Sequence, residues 1–199
     1  MIYDIESDPD TNEDFLHGFI TIKRKSDGSW NPLIAKYHPI LTLKEHGKST
    51  CWKRIKRKIT LYKDWPILHY GETEGVSILR LATSEGESIT DIETFRNRFI
   101  DIHSRLRANW RLPLNSYGLK AVANWTGFEW KQKGAEGAKA LLWWRQWRAT
   151  ANNSQRAKNT LKRILKYNED DCLATWSVTE WLLKNDSNLS RNYFSKEQN

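Results

Sequence analysis

Residues Met1 to Glu6 (MIYDIE) alternate in the two-residue period of a half-buried strand. The turn-forming run Ser7-Asp8-Pro9-Asp10 ends it. Two further strands are expected at Phe15 to Lys23 (FLHGFITIK) and Trp30 to Tyr37 (WNPLIAKY), with Ser26-Asp27-Gly28-Ser29 as the hairpin loop between them. The period then lengthens. From Leu43 to Tyr62 the apolar residues Trp52, Ile55, Ile59 and Tyr62 recur at three- and four-residue steps, which predicts a helix with one buried face. Pro66 to Tyr70 (PILHY) reads as a short buried strand and Glu74 to Ala82 as a helix. Phe99 to Trp110 fits either a strand followed by a helix or a helix throughout.

Ser116 is placed to cap a helix carrying Leu119, Val122 and Ala123. Ala135 to Ala149 is helical by composition, the run Ala151-Asn152-Asn153-Ser154 breaks it, and Gln155 to Asn185 forms a last helix, with room for a bend near Tyr167. There is no internal repeat and no low-complexity linker, so residues 1–199 are expected to form one domain, with a flexible tail from about residue 186. A meander of three strands, a helix, a strand and then mostly helices predicts an α/β architecture: a mixed central sheet with an antiparallel three-strand meander, flanked by helices.

Charge adds a partner class. The formal net charge is +8 despite 24 acidic residues, and an excess of cations favours a polyanion such as nucleic acid. Lys53, Arg54, Lys56, Arg57 and Lys58 cover much of the first helix, either as a solvated face or as a phosphate-facing patch. Of eleven tryptophans, Trp125, Trp130, Trp143, Trp144 and Trp147 crowd one region. Most are expected to fill the core, and a minority to stack on bases. Cys51 and Cys172 have neither metal-ligand spacing nor a disulfide pattern. With no long apolar run and no leader, the chain is expected to be soluble and cytoplasmic, with no membrane partner. A strand beginning almost at Met1 fits a start at a domain boundary or a piece of a longer protein.

The candidate chemistry sits at the two ends. Asp4 and Glu6, two apart on a strand, point to the same face, and carboxylates side by side on an apolar strand repel each other and resist burial. A divalent cation with a preference for hard oxygen ligands, Mg²⁺ or Mn²⁺, resolves both problems; a strand end emerging into water is the alternative. Tyr167 and Asp171 stack one turn apart on the last helix, offering a third carboxylate and a phenol able to orient a water. Asn168, Glu169 and Asp170 are expected to point elsewhere. A middle acid is sought in His69-Tyr70-Gly71-Glu72-Thr73-Glu74. There Glu74 opens a helix near the end of the sheet, Glu72 falls in the loop, and His69 is expected to be a satisfied polar residue at a strand end.

Together these residues resemble the three motifs of the DEDD exonuclease superfamily, which has the ribonuclease H-like fold and the element order read above. Asp4-Ile5-Glu6 resembles its first motif, D-x-E, and Tyr167 to Asp171 the Y-x-x-x-D of its tyrosine subclass. The closer resemblance is to the YprB-like ribonuclease H-like domain, which often forms the C-terminal part of predicted RecB-type nucleases. DIESDPD (Asp4 to Asp10), ILHYGETE (Ile67 to Glu74), FIDIHSRL (Phe99 to Leu106), SYGLKAVANWTGFEW (Ser116 to Trp130) and YNEDDCLAT (Tyr167 to Thr175) carry that likeness. The resemblance implies a 3′–5′ exonuclease that hydrolyses phosphodiesters of DNA or RNA with two Mg²⁺ or Mn²⁺ ions. Asp4, Glu6, Glu74 and Asp171 match the metal positions, and Tyr167 the residue that orients the water. Glu74 stands where the superfamily has Asp, and Asp101 is its rival as a supporting acid. Lys120, with Lys53, Arg54 and Arg57, is a candidate for phosphate contact, and Ser116 for helix capping. A helicase or nuclease partner follows from the RecB-type context. A nucleic-acid-binding module or complex subunit with a weak or inactive centre is the alternative.

Overall fold

The computed structural model describes residues 1–32, 35–43, 47–132, 137–150 and 154–185. The expected flexible tail falls outside these residues. Five strands form one mixed sheet in the order β3-β2-β1-β4-β5. They are β1 (Ile2–Asp8), β2 (Glu13–Thr21), β3 (Lys36–Leu41), β4 (Ile67–His69) and β5 (Phe99–Asp101). The first three pair antiparallel, and β1–β4 and β4–β5 pair parallel. This is the α/β sheet with an antiparallel meander that the order of elements predicts.

The alternation of β1 divides the core. Tyr3 and Phe19 pack with Ile40, with Trp52, Ile55 and Ile59 of α1 (Gly47–Leu61), and with Ile78 of α2 (Glu72–Ser84) and Phe95 of α3 (Ile89–Arg96). Ile2 and Ile20 face the other way, onto Cys172 and Trp176 of α7 (Gln155–Asn185). Full burial of each such large side chain contributes about 1.5–3 kcal/mol, so the sheet is held from both faces. Beside α7, Ile102 and Leu106 of α4 (Ile102–Asn109) meet Val122 and Ala123 of α5 (Leu119–Trp125). Phe15 stacks on Trp144 of α6 (Gly137–Ala149), with ring centroids 4.5 Å apart.

Several boundaries differ from expectation. The third strand is Lys36–Leu41, not Trp30 to Tyr37. Trp30 forms an isolated bridge to Arg24, outside the sheet, across a turn closed by Asp27 and Ser29, and packs edge-on against Trp176. Pro39, which argues against a central strand, is accommodated because β3 lies at the sheet edge. The second strand runs Glu13–Thr21, two residues earlier than read. Helix α2 begins at Glu72, so Glu72 lies in its first turn and not in the loop.

The ambiguous segment resolves as β5 followed by α4, because Asp101 ends the strand and caps the helix by accepting from the His103 N–H. The N-cap of α5 is Gly118, not Ser116, whose hydroxyl accepts from the Gly118 N–H. The last helix runs without interruption over 31 residues. Lys58, read with the exposed basic run, is buried over the Tyr62 ring at 5.0 Å. Among the described residues no helix is long and apolar enough to cross a membrane.

Candidate metal centre

Strand β1 and helix α7 build the centre from opposite ends of the chain. Asp4 and Glu6 share the face of β1 that looks at α7, and both are buried. Asp171 comes from the facing helix. One carboxylate oxygen from each of the three lies within 4.8 Å of the others. At such separations two ionised carboxylates repel by roughly 3 kcal/mol for an effective dielectric constant of about 20. Burial pushes the carboxyls of Asp4 and Glu6 well above the usual range, and the nearby charge of Asp171 adds to it. Burial also pushes Asp171 up to about 6, against the pull of hydrogen bonds from Trp130 and Tyr167 and the charge of Lys120.

Asn168 also reaches this centre, contrary to the expectation that it points elsewhere. It is fully buried, and its Nδ2 donates to Asp4 Oδ2 at 2.6 Å and to Glu6 Oε1 at 3.5 Å. Its Oδ1 accepts from the Tyr37 hydroxyl at 2.7 Å. Gly18 of β2 makes room, since a Cβ there would lie 1.7 Å from Asn168 Oδ1. The isolated Gly inside an apolar strand pattern was the sequence signal for this close approach. A second unforeseen partner is Trp130, whose Nε1 donates to Asp171 Oδ1 at 2.6 Å. Asp170 accepts from the Lys131 N–H and does not join the cluster.

The remaining candidates divide. Glu74 lies close enough to raise the carboxyls of both Asp4 and Glu6. Its Oε2 is buried without a hydrogen-bond partner, 3.8 Å from His69 Nδ1, and it stands outside the group of three. His69 Nδ1 is hydrogen-bonded to the Gly71 carbonyl at 2.7 Å, which makes it the satisfied strand-end residue the sequence suggests.

Asp101 is occupied structurally. Burial pushes its carboxyl up, but donation from Ser104 and from the Gly71 and Ser104 backbone outweighs burial and holds it below the usual range. Lys120 Nζ sits 5.6 Å from the Tyr167 ring centroid, beside a cleft lined by Ser116, Lys120, Tyr167 and Asp171. Lys53, Arg54 and Arg57 are exposed on α1, which packs on the opposite face of the sheet from α7, so they are not brought to this cleft. Asp8, further along β1, is bound at both oxygens by Arg145.

The donor set fits a divalent cation. The side chains that hydrogen-bond the three carboxylates, Asn168, Trp130 and Tyr167, are all neutral, so the positive charge that would offset the mutual repulsion is left for a cation to supply. The set is all oxygen, which suits a hard ion such as Mg²⁺ or Mn²⁺. The partnerless Glu74 oxygen at its border is a further acceptor without a donor.

No curated protein and no solved structure matches the chain. A family model described as RNase_H superfamily matches residues 1–183. That span takes in all five strands and every helix but the last two residues of α7, and so includes Asp4, Glu6 and Asp171; the chain therefore belongs to the RNase H superfamily.

Proposed function

We propose that the chain is a metal-dependent nuclease that hydrolyses phosphodiester bonds of DNA or RNA from a 3′ end with two Mg²⁺ or Mn²⁺ ions. The convergence of Asp4, Glu6 and Asp171 within 4.8 Å, inside an RNase H superfamily chain, carries this reading. Bound divalent cations supply Lewis-acid polarisation of the phosphoryl group and a more acidic water. Asp4, Glu6 and Asp171 would hold the cations, and Glu74, in the first turn of α2, would be the candidate fourth carboxylate. Asn168 keeps one oxygen of Asp4 engaged and so fixes that carboxylate's orientation.

Burial, with the charges of Asp171 and Glu6, raises the Tyr167 phenol far above its ordinary value. Tyr167 therefore stays protonated, and its role is to orient the attacking water as a hydrogen-bonding partner rather than to act as a base. Water adds to phosphorus, the bond from phosphorus to the 3′ oxygen breaks, and that oxygen leaves as a hydroxyl. Lys120, over the Tyr167 ring, contributes positive charge beside the scissile phosphate.

A second reading rests on Glu74. Its carboxylate remains outside the group of three, so a weak or inactive centre on a nucleic-acid-binding module is the competing function. A helicase or nuclease partner belongs to the same proposal, and pull-down tests it. The deciding experiment offers matched DNA and RNA oligonucleotides, single- and double-stranded and labelled at either end, with Mg²⁺, Mn²⁺ or chelator. Metal-dependent shortening from the 3′ end supports the nuclease. Binding without hydrolysis in every metal supports the module.

A further inference from the structure

A groove of about 1140 Å³ lies next to the metal-centre cleft. Ser116 and Gly118 line both, so the two adjoin. One wall of the groove is a single helical face: His103, Ser104 and Arg107 of α4, spaced to stack, with Arg111 just beyond its end. The opposite wall is the segment from Leu114 to Gly118. The volume exceeds the roughly 300–1,000 Å³ of a small-molecule pocket, so an extended ligand suits it better than a mononucleotide.

The groove's charge selects the ligand. Arg107 and Arg111 outnumber the one acidic lining residue, Glu72. Among the described residues no carboxylate pairs with either arginine, whereas Lys56, Arg80 and Arg148 each bind one and Arg145 binds two. Arg111 Nη1 donates to the carbonyl of Arg107, which fixes its stem at the end of the helix and leaves the rest of the fork available. Two hydrogen bonds tie Tyr117, on the second wall, to its neighbours. The Tyr70 hydroxyl donates to the Tyr117 carbonyl at 2.6 Å, and the Tyr117 hydroxyl accepts from the Leu112 N–H at 2.7 Å.

We infer that this groove is a phosphate track for a single nucleic-acid strand leading away from the metal centre, with Arg107 and Arg111 as its cationic contacts and Ser116 as a neutral donor. The inference rests on the nuclease reading for the identity of the strand. It adds a binding surface on α4, in place of the basic face of α1 that the sequence pointed to. A single strand is the occupant because the groove adjoins a cleft lined by Tyr167 and Asp171, and one backbone presents phosphates to one helical face.

The test is equilibrium binding by fluorescence anisotropy in chelator, where no hydrolysis occurs. A labelled trinucleotide and a dodecanucleotide, each as DNA and as RNA, are titrated across a salt series. Wild type is expected to bind the dodecanucleotide more tightly than the trinucleotide. R107A/R111A should lose roughly tenfold for the dodecanucleotide, and the slope of log affinity against log salt should shrink by about 0.7 for each phosphate contact removed. Because Arg111 also closes the end of α4, R107E alone is measured beside it, and thermal melts report whether each variant is folded. Methylphosphonate linkages in place of the phosphates should reproduce the loss in wild type.

Unchanged affinity and salt slope in folded R107E and R107A/R111A overturn the inference. So does a loss that follows K53A/R54A/R57A instead. Wild-type binding without any metal-dependent hydrolysis removes the nuclease reading and leaves the track. Full hydrolysis with undiminished binding in the arginine variants does the reverse.

Discussion

Gly18 and Asn168 fit against each other so closely that a methyl group on the first would lie 1.7 Å from the side-chain oxygen of the second. The amide they position spans the sheet and the last helix, linking Tyr37 to Asp4. Gly18→Ala is therefore expected to displace Asn168 and to cost about 1–3 kcal/mol, the scale of overpacking in a filled core. Chemical denaturation measures the stability, and Mn²⁺ titration should show weaker metal binding in the same variant. A fully stable Gly18→Ala with wild-type metal affinity contradicts the role given to this contact.

Asp4→Asn and Asp171→Asn separate charge repulsion from metal binding. In chelator at neutral pH each removes a member of a repelling cluster, so the variants should melt no lower than wild type. With Mg²⁺ or Mn²⁺, hydrolysis should fall by more than the ~100-fold typical of losing outer support around a metal. Variants that melt far below wild type in chelator point to a structural role for the carboxylates instead.

The same charges set a pH dependence. Unfolded carboxyls release their protons near pH 4. In the folded chain burial holds Asp171 at about 6, and Asp4 and Glu6 well above their ordinary values. The metal-free fold binds more protons than the unfolded chain over that window, so its stability falls as pH rises from about 4 through 6 and beyond. A cation needs the ionised forms, so its stabilising effect grows as pH rises. Thermal melts from acid to mildly alkaline pH, with Mn²⁺ or with chelator, should show two curves that diverge with pH. Parallel curves would count against the assignment.

Tyr167 and Trp130 touch Asp171 with different consequences. Tyr167→Phe should slow turnover by roughly a hundredfold, within the range of a positioned proton partner, and leave metal affinity near wild type. Trp130→Phe removes the donor to Asp171 Oδ1 and should weaken metal binding by about 10–100-fold. Calorimetric metal titration and single-turnover kinetics distinguish the two. Equal effects on affinity would merge their roles.

Lys58 gives a control away from the centre. Burial lowers its amine from 10.5 to about 8, with the nearby Lys36 charge adding to it. The unfolded chain therefore binds the extra proton between about pH 8 and 10.5, and wild-type stability rises across that interval. Lys58→Met should be at least as stable as wild type at pH 7, and should lack that rise. Denaturation at both ends of the interval checks it.

How far the sequence revealed this follows from which periods were clean. Asp4 and Glu6 were legible because alternation puts them on one face of a strand, and Tyr167 and Asp171 because four residues make one helical turn. Asn168 was not, because helical spacing alone turns it about 100° from Tyr167. It took the packing of α7 across β1, and the gap at Gly18, to bring it in. Helix α3 went unread, although Ser88 accepts from the Asp91 N–H at its start, a capping pattern visible in the letters. The expected third strand, Trp30 to Tyr37, overlaps the real one, Lys36–Leu41, at only two residues, and apolar content alone did not separate the two runs. The basic run on α1 was legible as charge, but which side of the sheet it would occupy was not.

Asp4 and the amide that holds it stand 164 residues apart in sequence. Contacts of that span close late, since the entropy of the intervening loop must be met before docking returns any stability. During translation the first strand therefore leaves the ribosome with its paired acids long before the helix that completes the set. On the nuclease reading, the nascent chain carries no cutting centre beside the messenger that encodes it, and acquires one only when its last long helix docks.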